Sequence, residues 1–500
     1  KYYNYSPDGA LLSKGKKEYV LNDRFGFKYI EGTKRGNNFH GDYTVFWKNG
    51  KIKERRNYFK GVLSGVCKEY FSWGALDEVK YYKNDNLHGE YKSYYDNGNI
   101  YIEGQYFEGE RTGLWKFYHP NKKVFKEMYY VDGKSDGHIT FYSITGEKRS
   151  NYFYKGDVLY RSKVFDREGN IVCEIKTPQG KGDFLFKSVE GHLYLKSKLS
   201  GGEHHGLKMF YYPNGQVIEK VEKNHGESHG IFMSYFPDGK IKETGEYIYG
   251  NKSGQWRSYH HNGNLSTSAI YKDDIVQDSL VRYYITGGLK EISYYDKNGE
   301  SSGVKYFHSS GALNCFIRKD GGFIHGGYSN YDAFGKLAIN RVYNGGICVS
   351  YNYLKNGKLI EPIFTYGNGL LKTFYDNGKL ASEFSQKDGM YEGLYKTMYS
   401  NGRPWIEAEY LHDKRHGNYR SYFKNGKISY EGEYDFGRLN GLQRKYNQGG
   451  SLLSEITFNQ GVRDGVSKFY DNNGNLLYIL LYKDDVVIDV VGLEPKLNHF

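Results

Sequence analysis

Histidine and glutamate recur at regular positions in this chain, and both residue types can bind metal ions or transfer protons. Six histidines directly precede a glycine, and they are His40, His88, His205, His229, His325 and His416. If each copy of the pattern adds two strands to a sheet, equivalent positions in neighbouring copies lie about 10 Å apart. The ligands of one metal ion lie about 2 Å from it. We therefore expect these histidines to support loops, and the sequence predicts neither a metal site nor a cofactor.

The repeated glutamates argue against catalysis in the same way. They are Glu103, Glu127, Glu383, Glu407, Glu431 and Glu455. A carboxylate that recurs on the polar face of a strand more often pairs with lysine or arginine than acts as a general acid, because catalysis needs one unique constellation. The sequence contains no P-loop, no CxxC pair and no nucleophile elbow. We therefore predict no catalytic residue and expect a protein that is not an enzyme.

A row of aromatic residues is the best candidate for binding, and we call it the aromatic ladder. Its members are Tyr43, Trp47, Tyr91, Tyr95, Trp115, Phe232, Phe236, Trp256, Tyr395, Tyr399, Tyr419 and Phe423. These rings have the opposite strand parity from a second row that includes Tyr94, so both faces of the strand carry rings. An exposed ladder interleaved with lysine and glutamate would grip a protein surface or a polysaccharide. A sheet that folds over itself would instead bury the ladder as a second core layer, and the sequence leaves both alternatives open.

A repeat of 24 residues must position these side chains. When the chain is aligned on its Asn-Gly and Asp-Gly dipeptides, turn glycines recur at that spacing, or at 48 where Lys122 replaces one of them, in three runs: Gly50, Gly74, Gly98, Gly146; Gly215, Gly239, Gly263, Gly287, Gly311, Gly335; and Gly378, Gly402, Gly426, Gly450, Gly474. About 21 copies fill nearly the whole chain, which is typical of a repeat array rather than of several globular domains.

Each copy has the pattern of a β-hairpin. In one clear copy the first strand is Glu90 to Tyr95, the turn is Asp96-Asn97-Gly98, and the return strand begins at Asn99. The glycine is expected to adopt the left-handed conformation that closes a three-residue loop with a bulge. The aromatic residue four positions before the glycine, here Tyr94, then faces the aliphatic residue two positions after it, here Ile100.

The repeat unit also resembles a known family. The pattern Gly-x-Tyr-x-x-Tyr-Tyr-x-Asn-Gly-x-Leu/Ile, followed by Glu and Tyr, is similar to the variant MORN repeat (MORN_2 type), which fills the bacterial antitoxin family called YwqK. The clearest copies are 89–106, 230–247, 393–410 and 417–434. The resemblance covers almost the entire chain, and it implies hairpins that stack into an elongated twisted sheet. Copies within 147–205 and 339–378 are shorter and depart from the pattern.

We therefore predict an all-β fold, an elongated array of about 21 stacked hairpins in a continuous twisted antiparallel sheet. The expected segments are N-terminal repeats at 1–146, irregular repeats at 147–205, central repeats at 206–338, irregular repeats at 339–378, C-terminal repeats at 379–476, and an apolar C-terminal cap at 477–500.

Charge and composition narrow the partners. The 70 Lys and Arg residues exceed the 58 Asp and Glu residues, which gives a net charge of +12, but the basic residues are scattered. Acidic residues interrupt the repeats and argue against a nucleic-acid partner. No stretch has the ~18 consecutive apolar residues of a transmembrane helix. The four cysteines do not fix the redox compartment, and a chain that begins at Lys1 leaves both a cytoplasmic and an exported location open.

The sequence therefore favours a non-catalytic scaffold for protein–protein interaction. The resemblance implies a toxin-neutralising, antitoxin-like or immunity-like role. A net charge of +12 repels a basic toxin, so an acidic partner fits better. The alternative is a cell-surface or envelope module that binds a glycan or an anionic lipid.

Overall fold

The computed structural model describes residues 3–5, 11–14, 18–22, 26–188, 190–320, 323–362 and 367–492. The chain divides into two compact units, Lys1–Ile171 and Val172–Phe500. Both consist mainly of antiparallel strands that follow one another as hairpins, which confirms the all-β repeat fold. No helix of the described ranges is both long and apolar enough to cross a membrane.

The strands of the first unit are β1 (Tyr3–Tyr5), β2 (Leu11–Lys14), β3 (Glu18–Asn22), β4 (Lys28–Arg35), β5 (Asn38–Phe46), β6 (Ile52–Phe59), β7 (Val62–Leu63), β8 (Gly65–Tyr70), β9 (Leu76–Lys83), β10 (Asn86–Tyr94), β11 (Ile100–Phe107), β12 (Glu110–Tyr118), β13 (Val124–Val131), β14 (Lys134–Tyr142), β15 (Lys148–Lys155) and β16 (Val158–Phe165). β1 pairs with β2. From β3 to β16 the strands form one antiparallel sheet in sequence order, in which β6 pairs with both β7 and β8.

The second unit contains two large sheets. After β17 (Ile171–Lys176) and a 3-10 turn at Pro178–Gly180, the middle sheet contains β18 (Gly182–Lys187), β19 (Leu193–Ser200), β20 (Glu203–Tyr211), β21 (Val217–Asn224), β22 (Glu227–Tyr235), β23 (Ile241–Ile248), β24 (Asn251–Tyr259), β25 (Leu265–Lys272), β26 (Ile275–Tyr283), β27 (Leu289–Tyr295), β28 (Ser301–Phe307), β29 (Leu313–Asp320), β30 (Phe323–Tyr331), β31 (Leu337–Asn344), β32 (Ile347–Lys355) and β33 (Lys358–Ile360).

The C-terminal sheet contains β34 (Gly369–Phe374), β35 (Leu380–Lys387), β36 (Met390–Met398), β37 (Pro404–Leu411), β38 (Lys414–Tyr422), β39 (Ile428–Asp435), β40 (Arg438–Tyr446), β41 (Leu452–Asn459), β42 (Val462–Tyr470), β43 (Leu476–Lys483) and β44 (Val486–Val491). Its last hairpin falls in the segment predicted as a cap, of which residues 493–500 lie outside the described residues. β17 and β18 belong to different sheets, as do β33 and β34, and both changes of sheet fall within the two stretches where the repeat pattern slips.

The hairpin has the turn that its sequence predicts. The amide of Gly98 donates to the carbonyl of Tyr95 at 2.8 Å, and the amide of Tyr95 donates to the carbonyl of Asn99 at 2.7 Å. Gly98 has φ 81°, the left-handed conformation that favours glycine. Tyr94 pairs with Ile100 across a register shift, which confirms the expected bulge and the expected aromatic–aliphatic pair.

Each sheet has an inner face, where the core lies, and an outer face. Tyr91 pairs with Gly104 on the inner face, whereas Lys92 pairs with Glu103 on the outer face. In the second unit the middle and C-terminal sheets contact each other. One such contact is a cluster in which Tyr212 packs with Tyr478, Leu480, Tyr482 and Val487. Tyr212, in the turn after β20, therefore packs against the last hairpin of the C-terminal sheet, β43 and β44.

Candidate functional site

The aromatic ladder lies in two different environments. Members seven residues before a turn glycine, such as Tyr91 before Gly98, lie on the inner face, and Trp115 and Trp256 occupy the same position in their repeats. This inner group comprises Tyr43, Tyr91, Trp115, Phe232, Trp256, Tyr395 and Tyr419. Members three residues before the glycine begin the turn, and these are Trp47, Tyr95, Phe236, Tyr399 and Phe423.

Trp115 shows how the inner rings are covered. Its indole packs over Gly104 of the preceding strand, where an added Cβ would lie 2.7 Å from Cγ and closer still to Cδ2 and Cε2. The ring centroids of Tyr91 and Tyr106 lie 5.4 and 5.1 Å from that of Trp115, and the guanidinium of Arg111 lies 4.6 Å above it. Trp115 is therefore completely buried, with 0% of its surface exposed.

The same arrangement recurs at Trp256 in the middle sheet. Its ring fills the space over Gly245, and Lys252 Nζ lies 3.9 Å from the ring centroid. Phe232 stacks on it at 5.4 Å. A glycine on the return strand and a large ring on the next strand thus form one packing unit, and a cation covers the ring from above.

The turn rings join each repeat to the next. Tyr95 Oη donates to the carbonyl of Tyr118 at 2.6 Å, and Tyr399 Oη donates to that of Tyr422 at 2.9 Å. The indole nitrogen of Trp47 donates in the same way at 2.8 Å to Tyr70. The accepting carbonyls belong to the last residue of the first strand in the following repeat, so each turn ring is tied to the next hairpin.

Every member of the aromatic ladder is buried or half-buried. Trp115, Trp256 and Tyr399 are buried, with at most 4% of their surface exposed. The geometry therefore corresponds to the alternative in which the rings form a packed layer, and it does not present them as an open binding surface.

The repeated histidines support loops. His88 Nδ1 accepts the backbone N–H of Glu108 at 3.5 Å, and its ring lies 5.0 Å from that of Phe107. The equivalent ring pairs are His40 with Phe59, His205 with His225, His229 with Tyr249, and His416 with Phe436, at 5.0 to 5.5 Å. The backbone N–H groups of Lys60, Gly345 and Phe436 donate to His40, His325 and His416 in the same way.

One cluster in the first unit places three possible metal ligands together, those of Glu54, Cys67 and Glu69. Arg56 forms two hydrogen bonds to the Glu54 carboxylate, and Lys80 Nζ lies 2.8 Å from Glu69. Burial, followed by the hydrogen bond to Glu54, raises the pKa of the Cys67 thiol to about 12. Two cations already neutralise the carboxylates and the thiol is protonated, so this cluster fits an internal ion-pair network better than a metal site.

The outer face of the C-terminal sheet carries a row of alternating charge. One residue from each consecutive strand pairs directly with the next, and we call this the central outer row. Its members there are Lys372, Glu383, Lys396, Glu407, Arg420, Glu431, Arg444, Glu455 and Lys468. Arg444 lies 2.9 Å from Glu455 and 3.5 Å from Glu431. Tyrosines of the Tyr94 row bind the same carboxylates, as Tyr422 does with Glu407 at 2.9 Å.

The central outer row of the middle sheet has a different composition. From β19 to β24 it contains Lys196, Met209, Lys220, Met233, Thr244 and Arg257, again in direct cross-strand register. In the part of the chain that the structure describes, no ion pair joins these three cations to a carboxylate. Tyrosines at the equivalent position of the C-terminal sheet, such as Tyr422, bind glutamates. In the middle sheet the hydroxyls of Tyr211 and Tyr235 instead lie 3.4 and 3.3 Å from the sulfurs of Met209 and Met233.

Aliphatic side chains are exposed at one recurring position of the outer face. Each directly follows a repeat glycine with positive φ, as Ile231 follows Gly230 at φ 81°. We call these residues the outer aliphatic row, and they are Val66, Leu114, Leu207, Ile231, Leu370, Leu394, Leu442 and Val466. Their exposure ranges from 39% for Val66 to 67% for Ile231. Other repeats carry a polar residue there, such as Glu90 or Asn418.

Neither feature of the outer face was predicted from the sequence. The sequence pattern that could have indicated the outer aliphatic row is a repeat glycine followed directly by Val, Leu or Ile, in the middle of the first strand of a hairpin. The signal for the unusual central row was lysine at Lys196 and Lys220, the position where other repeats have the repeated glutamate.

The comparisons with known proteins concern the repeat. Nine segments match the model of the MORN repeat variant, and they are residues 39–60, 87–108, 111–132, 205–222, 228–249, 252–273, 367–388, 415–435 and 463–484. Three of the four clearest copies overlap these segments, and the copy at 393–410 lies outside them while forming the same hairpin. No curated protein matches the chain.

Two solved structures illustrate the remaining similarity. The chain is similar to the crystal structure of TcdB2-TccC3-Cdc42 at 10% identity and a TM-score of 0.13, over 93% of this chain and 30% of that chain. It is similar to a Tc holotoxin pore of Photorhabdus luminescens with a mutated TccC3 at 10% identity and a TM-score of 0.15, over 93% of this chain and 29% of that chain. This chain thus spans about 30% of their length, and scores this low support no argument about fold or function.

Proposed function

This chain carries repeats of the MORN variant, and from that premise we propose that it is a non-catalytic scaffold that binds another protein through its outer aliphatic row. The observation that carries this proposal is the exposure of aliphatic side chains at one equivalent position in several repeats of both units. Contiguous or regularly placed apolar groups on a surface are typical of protein–protein interfaces.

The packing of the sheets supports this choice of surface. The inner rings fill the core, the turn rings join adjacent repeats, and the histidines support loops. Leu114 and Tyr129, which lie opposite each other on neighbouring strands, are each about half exposed, at 49% and 48%. A bound protein that covered them would therefore bury additional apolar surface. At about 25 cal/mol per Å² of apolar area, several such side chains would supply the hydrophobic part of a stable interface.

We also propose that this scaffold does not catalyse a reaction. The glutamates of the central outer row pair with lysine, arginine and tyrosine, and the Glu54 carboxylate is held by Arg56. These carboxylates thus already have structural partners. The resemblance to antitoxin repeat proteins adds the finer proposal that the partner is a toxin which this scaffold neutralises.

Affinity capture with the full chain as bait, followed by cross-linking mass spectrometry, tests the proposal. The row variant Leu114→Ser/Leu394→Ser/Val466→Ser should lose a stoichiometric protein that the wild-type chain captures, while its melting temperature stays unchanged. The control variant Ile171→Ser/Leu359→Ser/Leu476→Ser removes equally exposed apolar side chains outside the row, and it should keep the partner. Retention of the partner by both variants, or cross-links confined to other surfaces, would contradict the proposed role of the row.

A further inference from the structure

We infer that the outer face of β19–β24 binds an acidic, amphipathic segment of a partner protein. This inference rests on the proposed function and names the chemistry of one partner. The evidence is an exchange of residue types at two repeat positions. In the C-terminal sheet the return strand carries glutamate and the first strand carries lysine or arginine, as in the pair Glu407 and Arg420. In the middle sheet the return strands carry Lys196 and Lys220, and the first strands between and after them carry Met209 and Met233.

The exchange removes the internal neutralisation of the row. In the C-terminal sheet each cation of the row pairs with at least one carboxylate across the strands, with Lys372 3.1 Å from Glu383 and Arg420 3.6 Å from Glu431. In the middle sheet Lys196 lies opposite Met209, and Lys220 lies between the two methionines. The positive charge there is local and uncompensated within the row, so it attracts a complementary negative group from outside.

Basic and apolar strands alternate on this face. Lys196 and Lys198 are exposed on β19, and Leu207 and Met209 share the outer side of β20. Lys220 follows on β21, and Ile231 and Met233 follow on β22. Neighbouring strands are about 4.8 Å apart, so a partner meets a cation and an apolar group in turn. A segment that alternates acidic and apolar side chains has the matching chemistry, and flexible methionine side chains adapt to such segments.

Two glutamates favour a protein over a membrane or a nucleic acid. Glu222 lies directly across from Leu207, and Glu246 lies directly across from Ile231, and both are exposed. A continuous anionic surface laid on this face would press its charge against these carboxylates. A protein segment avoids the repulsion because it can place apolar side chains beside Leu207 and Ile231 and its acidic groups beside the lysines.

Fluorescence anisotropy with the full chain tests the inference. The probe is a fluorescein-labelled peptide that alternates glutamate with leucine. The variant Lys196→Glu/Lys220→Glu restores the glutamates of the other repeats and should weaken binding by about tenfold or more, since each contact changes from attraction to repulsion. The control variant Lys336→Glu/Lys358→Glu changes the net charge by the same amount at exposed lysines outside the row, and it should bind like wild type. Raised salt should weaken binding to the wild-type chain.

Three outcomes would overturn the inference. The first is equal peptide affinity for both variants, and the second is equal affinity of the wild-type chain for a peptide that alternates lysine with leucine. The third is tighter, Lys196- and Lys220-dependent binding of phosphatidylserine vesicles or poly-dT, which would assign the face to a lipid or a nucleic acid. None of these changes the capture result expected for the Leu114, Leu394 and Val466 variant, so the acidic partner and the general scaffold fail or survive separately.

Discussion

Replacing Gly104 by alanine should lower the free energy of unfolding of the first unit by about 3 kcal/mol. The new methyl group would lie 2.7 Å from Cγ of Trp115 and closer to two other ring atoms. An ordinary carbon–carbon contact is about 3.5 Å, so the ring or the strand must move by roughly 1 Å. Trp115 is 0% exposed and lies between Tyr91, Tyr106 and Arg111, so its ring has little room to move. Forcing an extra methyl group into such a core typically costs about 1–3 kcal/mol, and a buried indole belongs at the upper end of that range.

Urea unfolding and hydrogen exchange measure this cost. The amides of β11 and β12 should exchange faster in Gly104→Ala than in the wild-type chain, and the urea midpoint of the first unit should fall. Gly327→Ala is the matched control, because Gly327 also lies inside a strand, has no strained φ, and has no atom within 4 Å of an added Cβ. Its effect should stay within about 0.5 kcal/mol. Gly432→Ala should fall between the two, since the clash there is with the end of the flexible Gln443 side chain.

Equal shifts of the urea midpoint in Gly104→Ala and Gly327→Ala, each measured against the wild-type transition of its own unit, would refute the packing argument. A second test uses the pair itself: Trp115→Leu removes the ring that the methyl group meets. If the two residues form one packing unit, Gly104→Ala should cost less in the Trp115→Leu background than in the wild-type chain. Additive costs would show that the alanine acts through something other than the indole.

Three further predictions concern stability. Burial and two neighbouring lysines lower the pKa of His204 to about 4, so between about pH 6.5 and 4 the unfolded chain binds a proton that the folded chain does not. Thermal unfolding should therefore show that the second unit loses about 2 kcal/mol of stability as the pH falls through that window. The variant His204→Gln should reduce this loss. Tyr399→Phe keeps the ring but leaves the carbonyl of Tyr422 without its donor, so urea titration should show a loss of about 1 kcal/mol. Arg341 is 3% exposed and its Nη1 donates to Tyr391 at 3.3 Å, with no carboxylate paired to it among the described residues. Because burying a charge is costly, Arg341→Met should have a urea midpoint equal to or above that of the wild-type chain. A loss of stability above about 2 kcal/mol would contradict this expectation.

The hairpin itself could be predicted because its signal is local. Asn97-Gly98 fixes a turn with a left-handed glycine, and the turn fixes the pairing of Tyr94 with Ile100. The repetition of that turn also gave the all-β class and the repeat family. These features depend on backbone geometry over fewer than ten residues, so no knowledge of distant contacts was needed.

The choice of inner face could not be predicted in the same way. Rings occur at both strand parities, as Tyr91 and Tyr94 do, so hydrophobic alternation alone does not say which row is buried. The decision depends on a pairing across strands, in which the small residue Gly104 makes room for the large residue Trp115. Reading that pair required the strand register, because the two residues are separated along the chain by a loop and a register shift.

The outer face was missed for a related reason. An aliphatic residue such as Ile231 inside a strand is normally taken as part of a core, and its exposure becomes visible only when Phe232 is known to point inward. The net charge of +12 had a similar effect. Scattered lysines suggested a diffuse field, whereas the register shows that a lysine of the C-terminal sheet such as Lys372 lies beside a neighbouring glutamate, Glu383.

The contrast between the two central outer rows also bears on stability. Cross-strand pairs of opposite charge contribute roughly 0.2–1 kcal/mol each, so the glutamate at a position such as Glu431 helps to hold its strands together. Lys220 gives up that contribution, because its neighbours across both strands are methionines. The exchange is understandable if Lys220 and the exposed Ile231 on the next strand interact with a partner, which is the reason to look for binding on the middle sheet first.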